Sequence, residues 1–369
     1  MKRYLNEQII RDLKKKMVFL GGPRQVGKTT MALQILKDKQ NYLNWDISQH
    51  REKILKGELP PGEMLVFDEI HKYRSWRNYL KGLYDLQHGN QKILVTGSAR
   101  LDFYRFGGDS LQGRYHFLRL HPLSVAELAI KSQNNFMELL ELGGFPEPFL
   151  GKSKVEAKRW SREYRTRLVR EDLLSLERVQ DIGNLELLII RLPELVGSPL
   201  SLNALREDLQ ISHKTLSKWM NILERLYAVF RLMPLGSPKI RAVKKEQKHY
   251  HFDWSLVQDM PRRFENMVAS HLLKWVHYEE DTKGRNIELR YFRDIEGKEV
   301  DFVVTEDNKP FLFVECKWSD DELNKTLIYL KRKFPQADAW QIHATGKRDY
   351  QTKEGIRVAP SLLFLQGLI

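Results

Sequence analysis

The chain's 369 residues carry 61 lysines and arginines against 48 aspartates and glutamates, a net charge of +13 and a pI near 9.5. That balance favours polyanionic partners, nucleic acid first, and the length exceeds one ordinary core, so two to four domains are expected. One cysteine, Cys316, excludes intrachain disulfides and cysteine-cluster zinc sites; no apolar run approaches the roughly 20 residues of a membrane span and no secretory leader is apparent, so a cytoplasmic protein without membrane contact is expected.

The first strand is the apolar run Met17 to Leu20, followed by Gly22-Pro23-Arg24-Gln25-Val26-Gly27-Lys28-Thr29 and a helix-like stretch, Thr30 to Leu36. Glycines let several main-chain N–H groups face one anion, Lys28 adds a cation for terminal phosphates, and the Thr29 hydroxyl can hold Mg²⁺. Strand before and helix after mark a phosphate-binding loop, with Gly22, Gln25, Val26, Gly27, Lys28, Thr29 and Thr30 lining an ATP site. A second strand, Met64 to Phe67, ends in Asp68-Glu69. At the carboxyl edge of a parallel sheet Asp68 would hold the metal and Glu69 would polarise the attacking water, because a general base must reach its nucleophile; the alternative is a surface acidic pair. A third strand, Lys92 to Ser98, offers Thr96 or Ser98 to position that water or sense the terminal phosphate. Gly113-Arg114 precedes a fourth, Tyr115 to Leu120.

Phosphate loop, acidic strand end, polar strand end and an arginine before the last strand together resemble an AAA+ ATPase. The resemblance implies a homo-oligomer, up to a hexamer-type ring, in which Arg114, with Arg105 in reserve, enters a neighbour's site and stabilises the transferring phosphoryl group. A sheet-edge salt bridge is the competing reading of Arg114.

Residues 1–130 alternate strand and helix, as a doubly wound α/β domain does, and Ser124 is placed to cap a helix over Val125 to Lys131. After a break at Gly143 to Pro148 the text is charged and helical, with Trp160, Tyr164, Leu168 and Leu173 as an apolar stripe. Residues 131–195 therefore read as a helical lid or linker, whose Arg159, Arg162, Arg165, Arg167 and Arg170 form a solvated face or supply a second phosphate sensor. In residues 196–260 a short helix, Ser201 to Leu209, a turn at Gln210 to His213 and a longer helix in the amphipathic run Lys214 to Leu232 read as a helix-turn-helix. A basic loop, Pro238 to Lys248, leads to the strand-like His249 to Asp253, which suggests a winged helix. Lys214, Lys218, Lys239, Arg241, Lys244 and Lys245 would meet the phosphates of duplex or branched DNA; the same helix pair also serves as scaffold or protein-docking module.

In residues 261–369, Glu299 to Val304 and Phe311 to Lys317 flank a polar turn and predict a hairpin. A turn centred near Asn308 sets Asp301 opposite Glu315, and alternation brings Lys317 to the same face. Two carboxylates there can share Mg²⁺ beside a lysine that orients water for attack on a phosphodiester; a salt-bridged sheet surface is the plainer reading. The pattern Asp, gap, Glu-x-Lys resembles the restriction-endonuclease-like fold, in which Arg263 to Ala269 would be the first helix and Glu265 the auxiliary acid. The whole chain is similar to a bacterial and archaeal group of AAA+ ATPases with a nuclease-like C-terminal domain of unassigned function. The expected protein is a Mg²⁺-dependent ATPase that remodels or moves along DNA; the alternative is a nucleotide-dependent regulatory or signalling switch whose C-terminal half is a non-catalytic interaction module.

Overall fold

The computed structural model describes residues 1–87, 91–97, 111–168, 170, 181–236 and 246–369. Ser98, Arg105, Leu173, Lys239, Arg241, Lys244 and Lys245 lie outside the described residues. The chain forms two compact units, residues 1–122 with 281–283 and residues 123–280 with 284–369.

In the first unit α1 (Asn6–Asp12) precedes β1 (Met17–Gly21), which is buried along its whole length. A continuous apolar run of this kind suits the interior of a parallel sheet. Then come α2 (Lys28–Ile35), β2 (Tyr42–Asn44), α3 (Ser48–Lys56), β3 (Met64–Asp68), α4 (Trp76–Gln87), β4 (Lys92–Thr96) and β5 (Tyr115–Arg119). Among the described residues the unit's five strands are all parallel in the order β2-β3-β4-β1-β5. Phe19, Phe67, Ile93 and Val95 pack with Trp76 and Leu80 of α4 in one core. The three-residue β2 is too short to announce itself by pattern, yet its register sets Asn44 beside Asp68, and Asp68 lies beside Thr96 of β4. The chemistry-bearing strand ends thus align at one sheet edge.

The second unit opens with a turn over residues 125–129, where a helix was expected. Ser124 does accept from the Glu127 N–H at 3.4 Å, but Ala129 takes a left-handed φ of 49°, which stops the winding after one turn. Next are α5 (Gln133–Leu142), α6 (Pro146–Gly151), α7 (Lys154–Arg167) and α8 (Ile182–Arg191), then β6 (Pro199–Leu200), α9 (Leu202–Asp208), α10 (His213–Arg225), β7 (Val229–Pro234) and β8 (Gln247–His251). Trp160, Tyr164 and Leu168 are buried as the stripe predicts. The amphipathic run from Lys214 does not continue as helix to Leu232. Tyr227, at φ 57°, turns the chain, and Val229-Phe230-Arg231-Leu232 pairs antiparallel with β8; β-branched and aromatic side chains fit that pleated surface better than a helix.

The remainder is α11 (Met260–Lys283), β9 (Ile287–Arg293), β10 (Glu299–Glu306), β11 (Lys309–Lys317), α12 (Lys325–Lys333), β12 (Asp338–His343), β13 (Tyr350–Gln351), β14 (Arg357–Pro360) and α13 (Ser361–Gln366). Asp259 caps α11 by accepting from the Arg262 N–H at 2.9 Å, and Gly284 ends it at φ 67°. The hairpin turns through Asp307 and Asn308, both left-handed, and Phe302 faces Val314. Among the described residues nine strands form one sheet in the order β13-β14-β12-β11-β10-β9-β7-β8-β6. Because β7 pairs parallel with β9, this sheet runs unbroken through residue 260, where the sequence suggests a boundary.

Candidate functional site

The loop after β1 owes its shape to two left-handed glycines. Gly22 has φ 129°, and a Cβ there would collide with the Leu120 carbonyl oxygen; Gly27 has φ 99° and caps α2. Gln25 also adopts a positive φ, and Val26 is fully buried. Lys28 is buried at the start of α2, and its Nζ donates to the carbonyls of Gly22, at 2.9 Å, and Pro23, at 2.5 Å. Thr29 and Thr30 follow on the exposed side of the first turn.

Asp68 gathers three hydroxyls. Thr29 Oγ1 donates to Oδ2 at 2.9 Å, Tyr42 Oη to the same oxygen at 2.6 Å, and Thr96 Oγ1 to Oδ1 at 2.6 Å. Phosphate loop and acidic strand end therefore meet through a direct bond between Thr29 and Asp68. The Thr29 hydroxyl and the Asp68 carboxylate are the hard oxygen donors that Mg²⁺ takes, so these residues fit that ion. Glu69 sits at φ 56°, with Lys72 Nζ at 3.4 Å and His71 Nε2 at 3.5 Å. Burial raises its pKa, against the opposing charges of Lys72 and Lys28, which makes it a stronger base than a solvated carboxylate. Arg114 is engaged elsewhere: its Nε and Nη2 meet Asp85 of α4 at 2.8 and 3.1 Å.

Two residues of this site carry no motif. Tyr42 holds the Asp68 carboxylate while accepting from Asn44 Nδ2 at 3.0 Å, and burial, then Asp68, drives its hydroxyl pKa upward. Arg3 is buried and donates to the carbonyls of Val26, at 2.7 Å, and His121, at 2.6 Å, tying the phosphate loop to the end of the unit's chain.

The second constellation assembles in the C-terminal part. The Asp301 N–H donates to Glu315 Oε2 at 3.3 Å, the Cys316 N–H donates to Asp301 Oδ2 at 2.8 Å, and Lys317 Nζ lies 2.9 Å from Glu315 Oε1. Glu265 of α11 accepts from Tyr250 Oη at 2.7 Å. The pKa values of Glu265 and Glu315 are raised, by burial first and then by the Asp301 charge. Cys316 is partly buried, and burial pushes its thiol well up. The residue that sequence reasoning missed is Lys248 of β8. It is fully buried, ion-paired with Glu299, 3.4 Å from Glu265 and 3.7 Å from Asp301. Burial pulls its pKa down, but Glu265, Asp301 and Glu299 more than reverse the effect, so it stays an ammonium. Among the described residues no three His, Cys, Asp or Glu side chains are arranged to hold a metal ion. The acids of the hairpin already enclose a cation of the protein's own, so they do not fit the Mg²⁺ that a nuclease would use. Lys214 and Lys218 stand exposed on α10.

Residues 14–129 match the model of an AAA domain family. The first unit holds an AAA-family domain. Nucleotide binding is what that family implies, on a five-stranded parallel sheet of the P-loop kind. Residues 133–266 and 262–364 match two families described as domains of unknown function, DUF8612 and DUF4143. Uncharacterized proteins of Mycobacterium bovis and Mycobacterium tuberculosis are each 24% identical over 248 residues, 65% of this chain and 55% of theirs. One from Methanocaldococcus jannaschii is 24% identical over 309 residues, 66% of this chain and 62% of its own. The chain thus spans less than two thirds of the curated relatives it matches. Among solved structures, the Aeropyrum pernix ORC1 protein in complex with DNA aligns with TM-score 0.33 and 15% identity, over 74% of this chain and 94% of that one. The Saccharomyces cerevisiae Hsp104–ADP complex aligns with TM-score 0.31 and 16% identity, over 61% and 39%. Among the described residues no helix is long and apolar enough to cross a membrane.

Proposed function

We propose that this protein is a Mg²⁺-dependent, cytoplasmic ATPase that works as a homo-oligomer and couples turnover to remodelling of, or movement on, DNA. The observation that carries the ATPase step is the bond from Thr29 in the phosphate loop to Asp68 at the tip of β3. The main-chain N–H groups of Gly22 and of Arg24 to Lys28 would face the phosphates, Lys28 would exchange two neutral carbonyls for the charged terminal oxygens, and Thr30 and Ser98 would complete the contacts. When bound between Thr29 and Asp68, Mg²⁺ supplies charge neutralisation for the transferring phosphoryl group. Glu69 accepts the proton of the attacking water, and Thr96 and Tyr42 hold Asp68 in orientation. Arg114 would serve a neighbouring subunit by exchanging Asp85 for phosphate oxygens, a geometry its planar fork suits. The DNA step draws support from the net charge of +13 and from Lys214 and Lys218, exposed on α10; Lys239, Arg241, Lys244 and Lys245, which lie outside the described residues, would join them in a winged-helix-like segment.

The run α11, β9, β10, β11, α12, β12, with Glu265, Asp301, Glu315 and Lys317 gathered, is the support for a restriction-endonuclease-like domain. Lys248 favours the second reading of that half: a module that binds without cutting, which in a slow-turnover protein would make the whole a nucleotide-dependent switch. Steady-state ATP hydrolysis with and without duplex and branched DNA separates the two, since a motor is stimulated by its track and a switch is not. Glu69→Gln should lower turnover roughly 10²–10⁴-fold while ATP binding survives; unchanged turnover would remove Glu69 from the mechanism.

A further inference from the structure

A cleft of about 470 Å³ opens in the second unit between α7 and the segment 255–263. Its volume is within the roughly 300–1,000 Å³ of sites that take small ligands, but its wall is charged. Lys154, Lys158, Arg162, Arg165 and Arg263 line it against one carboxylate, Glu141, which Lys154 already meets at 2.5 Å. On α7 the cations fall at i, i+4, i+8 and i+11, one face of a helix. From Lys154 to Arg165 the stripe rises about 16 Å at 1.5 Å per residue.

The cations of this segment are sorted by direction. Arg159 pairs with Glu156 at 2.9 Å, Arg167 with Glu163 at 3.4 Å and Arg170 with Glu186 at 3.3 Å, and none of the three lines the cleft. Lys158, Arg162 and Arg165, which do, form no side-chain hydrogen bond or ion pair among the described residues, and the Nε of Arg165 is buried with no partner. The cations of this segment that face away from the cleft are thus paired, whereas three of those that line it have no carboxylate within bonding distance among the described residues. Asp253, whose charge acts on Arg165 and Arg263, accepts from the hydroxyls of Ser161, at 2.8 Å, and Ser255, at 2.6 Å, and burial raises its pKa toward the neutral form. Ser161, Ser255 and Gln258 add neutral hydrogen-bonding groups to the same wall.

We infer that this cleft is a binding site for the phosphate backbone of nucleic acid, engaged by Lys158, Arg162, Arg165 and Arg263. The inference rests on the DNA reading above and gives it a location apart from α10. A stripe of about 16 Å exceeds the roughly 3.4 Å by which one strand advances along the duplex axis per phosphate, so it is long enough to meet more than one phosphate.

The test is fluorescence anisotropy of the full chain with labelled duplex and single-stranded DNA between 50 and 200 mM salt. Lys158→Ala/Arg162→Ala should weaken binding roughly tenfold or more and lower the salt slope by about 2 for duplex, near one per lost phosphate contact. Lys14→Ala/Lys15→Ala removes the same charge from exposed positions of the first unit and should change neither. Equal binding by the cleft variant and wild type, or an equal loss in the Lys14/Lys15 control, would overturn the site. Wild type that hydrolyses ATP but binds no DNA would sink the DNA reading and this inference with it. Calorimetric binding of tripolyphosphate, lost in the cleft variant while DNA is ignored, would assign the cleft to free phosphates and overturn nucleic acid as its ligand.

Discussion

Two buried lysines in this molecule meet oxygen atoms in opposite ways. Lys28, in the phosphate loop, donates to the carbonyls of Gly22 and Pro23, neutral acceptors that a triphosphate can replace with full negative charges. Lys248, in the second unit, lies among Glu265, Glu299 and Asp301, acceptors as charged as any ligand that could displace them. The same ammonium is poised for a substrate in one setting and satisfied within the fold in the other. A lysine near acids is therefore no sign of catalysis until its acceptors are named.

The contrast is sharpest under exchange of the two lysines for neutral side chains. Lys28→Ala should leave the fold intact and reduce ATP hydrolysis roughly 10²–10³-fold, the cost of removing one preorganised donor from developing charge; a variant with normal turnover breaks the comparison. Lys248→Met should do the reverse. ATP hydrolysis by the first unit persists, while urea unfolding of the second loses about 3–5 kcal/mol, because Lys248 no longer balances the cluster of Glu265, Glu299 and Asp301. If that variant instead matches wild type in stability and gains Mn²⁺ binding that Asp301→Asn abolishes, Lys248 was excluding a metal from a usable site.

The pH dependence of stability reads out buried groups of the second unit. Burial lowers the pKa of His249 to about 4 and of His251 and His271 to about 3, from 6.5 in the unfolded chain. Folded values depressed in this way contribute stability that is present above pH 6.5 and lost as pH falls toward 4 and 3, because the unfolded chain takes up protons first. The raised carboxyls Glu265 and Glu315 act in the opposite sense, favouring the fold below 4.5 and losing that contribution as pH rises through their folded values. The two partly offset each other above pH 4.5, so chemical denaturation should show a shallow profile from pH 8 to 5 and a steep loss below about 4.5. A smooth decline beginning at pH 6.5 would mean that the carboxyls do not titrate high. The smallest effect belongs to the first site: Tyr42→Phe removes one of three hydroxyls from Asp68 and should raise the Mg²⁺ needed for half-maximal hydrolysis roughly tenfold. No change would limit Tyr42 to packing.

Much of the first site was legible because its parts are local. Gly22 to Thr29 form one turn whose geometry depends on glycines next to a strand and a helix, and β3 and β4 are apolar runs that end in Asp68 and Thr96. The hairpin of β10 and β11 was legible for the same reason, since alternation and a short polar turn bring Asp301 beside Glu315. Failures came where tertiary packing overrode a periodic pattern. The run from Lys214 to Leu232 has helical spacing throughout, but pairing with β8 took its last residues into the sheet.

Taken by itself, the sequence determined a phosphate loop, an acidic strand end and a basic chain of more than one domain, because those properties reside in contiguous residues and in a sum of charges. Only the tertiary structure decided which distant side chains join them. Arg3 reaches a carbonyl 118 residues away, Tyr42 a carboxylate 26 residues away, and Lys248 enters the acid cluster from a strand on the other side of α11 in the chain. Such partners share no spacing rule with the groups they bind; strand order and burial bring them together, and burial then gives a single ammonium or hydroxyl its effect.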